Sequence, residues 1–145
     1  MNLFNKILKK TNIVTSSGTS LLNKYKKGII DEQQFLFSFS KTKVFYSTPF
    51  GDHVSGETRL FLLPDHQGSG YLPVFTSSSQ AIEFYKEMGR VGFVIMEGTF
   101  IDFLETTKTI NQKETPIKMG VIIEPNVYDI TIEGSVLDKV INLMK

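Results

Sequence analysis

The sequence predicts an α/β (α+β) fold, a single domain in which helices pack on the faces of a mixed sheet of about six strands. Three observations favour this class. The chain has 145 residues, the length of one domain. Strand and helix patterns alternate in its second half, and two strand patterns flank a turn-rich segment in its first half, which predicts an N-terminal antiparallel hairpin. Residues 1–18 are expected to form an N-terminal helix and loop, and residues 19–145 the domain itself.

Three helices are expected before the first strand. Apolar residues recur at helical spacing between lysines in residues 1–10, which predicts a short amphipathic helix. A second helix is expected from a cap at Thr19 to about Lys27. A third follows Asp31, because Gln34 three residues later completes a capping-box pattern. Phe37 lies off the apolar stripe of this third helix and is expected to be exposed.

Three strands are expected next. Lys43–Thr48 and Thr58–Leu63 are rich in aromatic, branched and aliphatic residues, and the segment between them has the composition of a turn. They are therefore predicted to pair as the antiparallel hairpin. After a loop over residues 65–70, Tyr71–Phe75 is expected to be a third strand, in which Pro73 indicates an edge or bulged position.

The second half contains three predicted helices and three predicted strands. The helices are expected over Ser78–Met88, Thr99–Thr107 and Ser135–Met144, and the strands over Arg90–Met96, Lys118–Ile123 and Val127–Ile132. A cap at Ser77, Thr99 or Ser135 precedes an acceptor three residues later at each helix start. Because Val91–Met96 and Val121–Ile123 are nearly continuous apolar runs, both are expected to be central strands covered on two faces. Glu124-Pro125-Asn126 predicts a tight turn between the last two strands, which should pair antiparallel.

The composition excludes several function classes. The chain has no cysteine, so disulfides, thiolate metal sites and a cysteine nucleophile are absent, and a cytoplasmic location is expected. The formal net charge is +1, and the lysines of the first half are spread over several predicted elements, so direct nucleic-acid binding is not expected. No apolar run reaches the length of a membrane span, and none directs export.

The two histidines provide the best candidates for acid–base or metal chemistry. Each follows an aspartate, in Asp52-His53 and Asp65-His66. In the predicted hairpin the two pairs lie at opposite ends of a strand, roughly 20 Å apart. Solvated loop histidines are therefore the favoured interpretation, with a shared metal site or partner contact as the alternatives. We assign no catalytic residue, no cofactor and no metal ligand from the sequence.

Two segments are candidates for partner contact. Phe50, between Pro49 and Gly51 at the predicted hairpin end, could be an exposed aromatic anchor or could fold back over the sheet. Three carboxylates surround the start of the helix expected after residue 98, and they could receive a basic partner or form only a cap and a solvated helix face. The candidate partner-binding residues are Phe50, Asp52, His53, Glu97, Asp102 and Glu105.

Three segments in order resemble the SseB-like N-terminal domain family of bacteria. They are the strand and Phe-Thr-Ser signature of Tyr71–Ser77, the segment Val91–Gly98, and the strand and turn of Gly120–Pro125. In that family the later strand usually ends in Asn-Pro, whereas this chain has Glu124 where Asn is typical, which puts any special role of that Asn in doubt. The leading helices and the Val44-Phe45-Tyr46 strand also resemble the opening of that family, so the resemblance covers roughly residues 19–144.

The resemblance implies a compact α/β fold without an established enzymatic activity. Domains of this type also look like small bacterial proteins encoded beside polymorphic toxins. The expected function is therefore a non-enzymatic immunity protein that neutralises a cognate toxin of a contact-dependent or similar system by direct binding, and the toxin could be a nuclease. A housekeeping SseB-type interaction or regulatory module, and an enzyme with an unfamiliar site, are the alternatives.

Overall fold

The computed structural model describes residues 17–64, 70–113 and 118–145 and has the α+β fold class that the sequence predicts. The helices are α1 (Ser17–Lys26), α2 (Glu32–Phe39), α3 (Ser78–Glu87), α4 (Phe100–Lys113) and α5 (Leu137–Met144), with a 3₁₀ turn at Gly134–Val136. The strands are β1 (Lys43–Tyr46), β2 (Phe50–His53), β3 (Thr58–Leu60), β4 (Leu63–Pro64), β5 (Gly70–Val74), β6 (Arg90–Val91), β7 (Met96–Thr99), β8 (Gly120–Ile123) and β9 (Ile130–Ile132).

The strands form three sheets and not the single sheet expected. One sheet has the order β4-β5-β8-β9, a second pairs β1 with β7, and a third has the order β3-β2-β6. In the first sheet β5 and β8 run parallel, while β8 and β9 pair antiparallel across the predicted turn. Every residue of β8 is buried, which confirms its prediction as an interior strand.

The predicted hairpin is wrong in its pairing. β1 pairs antiparallel with β7, so that Phe45 lies opposite Glu97. The hairpin is formed instead by β2 and β3, and β2 lies inside the segment that was expected to be the turn. Glycine, aspartate and histidine give β2 a composition that is poor for a strand, so its pairing is decided by tertiary contacts and not by local propensity.

The prediction of a central strand over Val91–Met96 is also wrong. β6 ends at Val91, β7 begins at Met96, and no strand joins them. Gly92 adopts a left-handed backbone with φ of 63°, which interrupts the extended chain. Val94 is consequently 73% exposed, although its apolar neighbours predicted burial.

Pro73 lies in an interior strand and not at an edge, because β5 has β4 on one side and β8 on the other. The carbonyl of Val74 accepts a hydrogen bond from Glu124 N at 2.9 Å, so Val74 faces β8 and Pro73 faces the opposite side. On that side β4 pairs only with Gly70 and Tyr71. The missing N–H of Pro73 therefore falls where β4 has already ended.

Three of the predicted helix starts are confirmed. Asp31 and Gln34 form a reciprocal capping box, with Gln34 N donating to Asp31 Oδ1 at 2.7 Å. Ser77 accepts from Gln80 N at 3.2 Å, and Thr99 accepts from Asp102 N at 3.2 Å. Phe37 is exposed, as its position off the apolar stripe predicts.

The predicted cap at Ser135 is wrong. Gly134 packs closely on the backbone of Lys118, just before β8. A Cβ at position 134 would lie 2.5 Å from the carbonyl oxygen of Lys118. The chain turns through the 3₁₀ segment at this contact, and α5 starts at Leu137 without a side-chain cap.

Some predicted features lie outside the described residues. They are the helix over residues 1–10 and most of the loop over residues 65–70, with the Asp65-His66 pair. In the ranges that the structure does describe, no helix combines the length and the apolar character needed to cross a membrane.

Two hydrophobic clusters form the core. The larger lies between the helices α1, α2, α4 and α5 and the strands β1, β5, β8 and β9. The smaller contains Phe61, Phe75, Ala81 and Tyr85, which belong to α3 and to the segments that follow β3 and β5. Arg90 of β6 lies over two of these rings, so the cluster supports the three-stranded sheet from one side.

Glu124 ties the end of β8 to the connection between β5 and α3. Its side chain is 2% exposed, and its Oε1 accepts hydrogen bonds from the amide of Thr76, at 2.8 Å, and from the Thr76 hydroxyl. The backbone at Glu124 is left-handed, with φ of 51°, a conformation that Asn adopts more readily than most residues. Glu124 thus occupies a strained position and uses its longer side chain to hold a distant segment.

We predict that Glu124→Ala lowers the free energy of unfolding by about 1–3 kcal/mol, because it leaves the buried amide of Thr76 without its acceptor. Urea unfolding measures the change. Glu124→Gln keeps one acceptor oxygen and should lose less, and Glu87→Ala at the exposed end of α3 is the matched control. Equal losses for Glu124→Ala and Glu87→Ala would contradict the role of Glu124.

Candidate functional site

The sheet β3-β2-β6 has one open face, which we call the outer face. It consists of five exposed residues that the strand register places side by side: Phe50, Asp52, Thr58, Leu60 and Val91. Phe50 lies directly opposite Leu60, and Asp52 lies opposite both Thr58 and Val91. The hydroxyl of Thr58 donates to Asp52 Oδ1 at 3.1 Å, which confirms that these two side chains share the face.

The polarity of this sheet is the reverse of the usual arrangement. An antiparallel sheet with one solvated face normally turns apolar residues inward and polar residues outward. Here Phe50, Leu60 and Val91 point outward and are 45%, 48% and 45% exposed. The inner face carries Gly51, His53, Arg59 and Arg90, of which Arg90 is buried and Arg59 is exposed. Apolar side chains that lie together on a surface indicate a contact site.

Arg90 fills the space under the inner face. It is 5% exposed, and its guanidinium lies 4.8 Å from the ring centroids of both Phe61 and Tyr85. Nη1 donates to the carbonyl of Thr48 at 2.8 Å, and Nη2 donates to the carbonyl of Phe50 at 2.8 Å. The buried cation is therefore held by two aromatic faces and two backbone carbonyls.

The side chains of Arg90 and Tyr85 are both buried away from solvent. Burial lowers the pKa of Arg90, although the nearby Tyr85 and Asp52 oppose that shift. Burial also raises the pKa of Tyr85 to about 12, against the opposing effect of the Arg90 charge. Within the described part of the chain, neither the Tyr85 hydroxyl nor Arg90 Nε has a hydrogen-bond partner of good geometry.

The two members of the Asp52-His53 pair lie on opposite faces of β2, because successive side chains alternate. The Nδ1 of His53 accepts a hydrogen bond from Ser55 N at 3.1 Å and lies 2.9 Å from Ser55 Oγ. Its ring packs on Gly89, where a Cβ would lie 2.6 Å from Nε2. The structure therefore separates Asp52 from His53 and gives the histidine a local packing role.

The three carboxylates of the second candidate segment lie elsewhere. Glu97 is in β7 and is 3.6 Å from Lys43 Nζ, while Glu105 on α4 is 3.3 Å from Lys145 Nζ. Asp102 lies in the first turn of α4, one turn from Glu105. Two of the three carboxylates thus have a lysine partner, so this segment is not an uncompensated acidic patch.

The structure has cavities that the residues of the outer face do not line. One of about 210 Å³ lies beside Glu124 and is lined by Glu83 and Glu87 of α3, and one of about 520 Å³ lies between α2 and α5. Among residues 17–64, 70–113 and 118–145, no group of three or more His, Asp or Glu side chains has an arrangement that could hold a metal ion.

Sequence reasoning found two members of the outer face, Phe50 and Asp52, and missed the others. Leu60 lies in a predicted strand, but the face it occupies depends on the pairing partner. Val91 was expected in the core. The burial of Arg90 could not be predicted from composition, because it depends on the ring of Phe61 from a distant segment as well as on Tyr85 of the preceding helix.

We predict that Gly51→Ala destabilises the fold by about 1–3 kcal/mol, because a Cβ at this position would lie 2.4 Å from Arg90 Nε. The guanidinium is fixed by its bonds and cannot move aside freely. Gly98→Ala in β7 is the matched control, since the nearest atom there is 3.6 Å away. Thermal unfolding that gives the same stability for both variants would contradict the close approach of β2 to Arg90.

We predict that the free energy of unfolding falls between pH 10 and pH 12, because Tyr85 has its pKa raised from 10.0 to about 12 in the fold. Over this range the unfolded chain loses the Tyr85 proton while the folded chain keeps it, which removes up to about 3 kcal/mol. Tyr85→Phe should show a shallower decline in denaturant unfolding at the same pH values. Identical slopes for the two proteins would refute the assignment.

Comparisons with known proteins leave the family open. No protein-family model, no curated protein and no solved structure matches this chain. The resemblance to SseB-like domains therefore stays a prediction.

Proposed function

We propose that this protein is a non-enzymatic protein-binding domain and that the outer face of the sheet β3-β2-β6 is its contact surface. The reversed polarity of this sheet carries the proposal. Exposing Phe50, Leu60 and Val91 together costs hydration free energy that burial against a partner would recover. An aromatic side chain beside aliphatic ones is also the composition of an interface centre.

The chemistry of the outer face defines the partner that fits it. Asp52 lies among the three apolar side chains and is exposed. The matching surface of the partner should therefore be apolar and should place a lysine or arginine against Asp52. Proteins that act on nucleic acids carry such basic residues, which is consistent with a nuclease toxin as the partner.

Neutralisation of a cognate toxin is the form of this function that we favour. An immunity protein works by covering a partner, so it requires a shaped surface and no reactive group. The outer face meets this requirement better than the segment of Glu97, Asp102 and Glu105, because lysines already compensate Glu97 and Glu105. Protein binding by a housekeeping SseB-type module would use the same surface without a toxin partner.

The decisive experiment first asks whether a toxin domain is encoded beside this reading frame and, where it is, uses that domain. Cells that express the toxin should survive when the full chain is co-expressed, and the two proteins should co-purify. Absence of a neighbouring toxin, or death of cells that contain both soluble proteins, would overturn the immunity role.

We predict that Phe50→Ala and Leu60→Ala each weaken binding to that toxin domain at least about tenfold, as expected for central interface side chains. Calorimetry with a catalytically inactive toxin measures the affinity. Leu143→Ala on α5 is the matched control, because Leu143 and Leu60 are both 48% exposed. If the toxin binds all three variants like the unchanged protein, the outer face is not the contact surface.

A further inference from the structure

Arg90 is buried directly beneath the outer face, and its side chain joins three parts of the fold. Arg90 itself belongs to β6. Its guanidinium donates hydrogen bonds to the carbonyls of Thr48 and Phe50 and lies between the rings of Phe61 and Tyr85. One rigid group therefore fixes the chain on both sides of Pro49, where β2 begins.

We propose that Arg90 is a positioning residue, which holds Phe50 and the start of β2 in one arrangement so that the outer face is formed before a partner arrives. This inference rests on the proposed function, because it assigns a role to Arg90 within that contact surface. Arg90 itself is buried under the sheet and would not touch the partner.

An ion pair does not account for the burial of Arg90. In the described part of the chain its side chain forms no salt bridge, and the ion pairs found there involve other residues. Burying a charge without a salt-bridge partner is costly, so the interactions it gains must offset that cost. Those interactions are hydrogen bonds to Thr48 and Phe50 and stacking on two rings, which means that the guanidinium is used to fix the position of the chain.

The strand β2 depends on the hydrogen bonds from Arg90 because its own pairings with other strands are short. Three residues of β2 pair with β3, and two residues pair with β6. A small sheet of this kind is marginal without support from another layer. Gly51 lets the backbone of β2 lie against the guanidinium, since a side chain at this position would overlap Nε.

Holding an exposed aromatic residue in place affects binding directly. A side chain that is already ordered loses less conformational entropy when it enters an interface, so preorganisation raises affinity without adding a contact. Phe50 is the largest apolar side chain of the outer face, and its own carbonyl is one of the two acceptors of Arg90. Among the residues of the outer face, Phe50 is therefore the one that Arg90 holds most directly.

The sequence contains no tryptophan, so a single introduced indole can report on the motion of position 50. Phe50→Trp introduces a single indole on the outer face, and time-resolved fluorescence anisotropy measures its local motion. Adding Arg90→Met keeps an apolar side chain between the two rings but removes all three hydrogen bonds, to the carbonyls of Thr48 and Phe50 and to the Thr48 hydroxyl. We expect the amplitude of nanosecond motion of the indole to rise by roughly twofold.

A second probe separates local positioning from general loosening. Leu143→Trp places the indole on α5 at a site with the same native exposure as Leu60, and its motion should not change when Arg90→Met is added. Arg90→Lys retains the charge but not the fork of donors, and should mobilise the Phe50→Trp indole to an intermediate degree. If Arg90→Met does not fold, Arg90→Lys provides the test by the same comparison.

The proposal is overturned if the indole at position 50 is equally immobile with and without Arg90, or if the probe on α5 loosens to the same extent. Neither measurement uses a partner, so failure here leaves the proposed function standing, and failure of toxin binding leaves the anisotropy result standing. The inactive toxin domain allows a double-mutant cycle. Arg90→Met alone should weaken toxin binding, and adding Arg90→Met to the Phe50→Ala variant should weaken it no further.

Discussion

The buried guanidinium of Arg90 is the interaction on which the three-stranded sheet and its open face depend. It connects β6 to the start of β2 and joins both to the aromatic cluster of α3. Because a charge occupies the inner face of the sheet, the apolar residues of the same strands lie on the outer face. The unusual polarity of the sheet and the absence of a side chain at Gly51 are therefore two consequences of one buried cation.

A second buried polar group performs a comparable task at the other side of α3. Glu124 binds the backbone and hydroxyl of Thr76, 48 residues earlier in the chain, while Arg90 binds Thr48, 42 residues earlier. The strands of this protein have two to five residues, so their ladders alone give little cooperativity. Long-range hydrogen bonds from buried charged side chains supply the connections that longer strands would provide.

The features that depend on local sequence were predicted, and those that depend on distant pairing were not. Caps at Asp31, Ser77 and Thr99 follow from residues three positions apart, and the structure confirms them. The partner of β1 could not be derived in this way, because β7 is about 50 residues away and several apolar segments compete for it. The apolar run Val91–Met96 was likewise predicted wrongly, because the left-handed backbone of Gly92 ends the strand at Val91. For the candidate site, Phe50 followed from its place at the predicted hairpin end and Asp52 from the Asp52-His53 pair, whereas Leu60 and Val91 required the register.

The geometry of β3 limits the pairing of strands between copies of this chain. β3 forms the border of its sheet, and an unpaired border of that kind is a template for adding further copies. This one is only three residues long and carries the Glu57–Arg59 ion pair at 3.0 Å. A short, charged border offers little to another copy of the chain, so β3 disfavours edge-to-edge pairing beside the outer face.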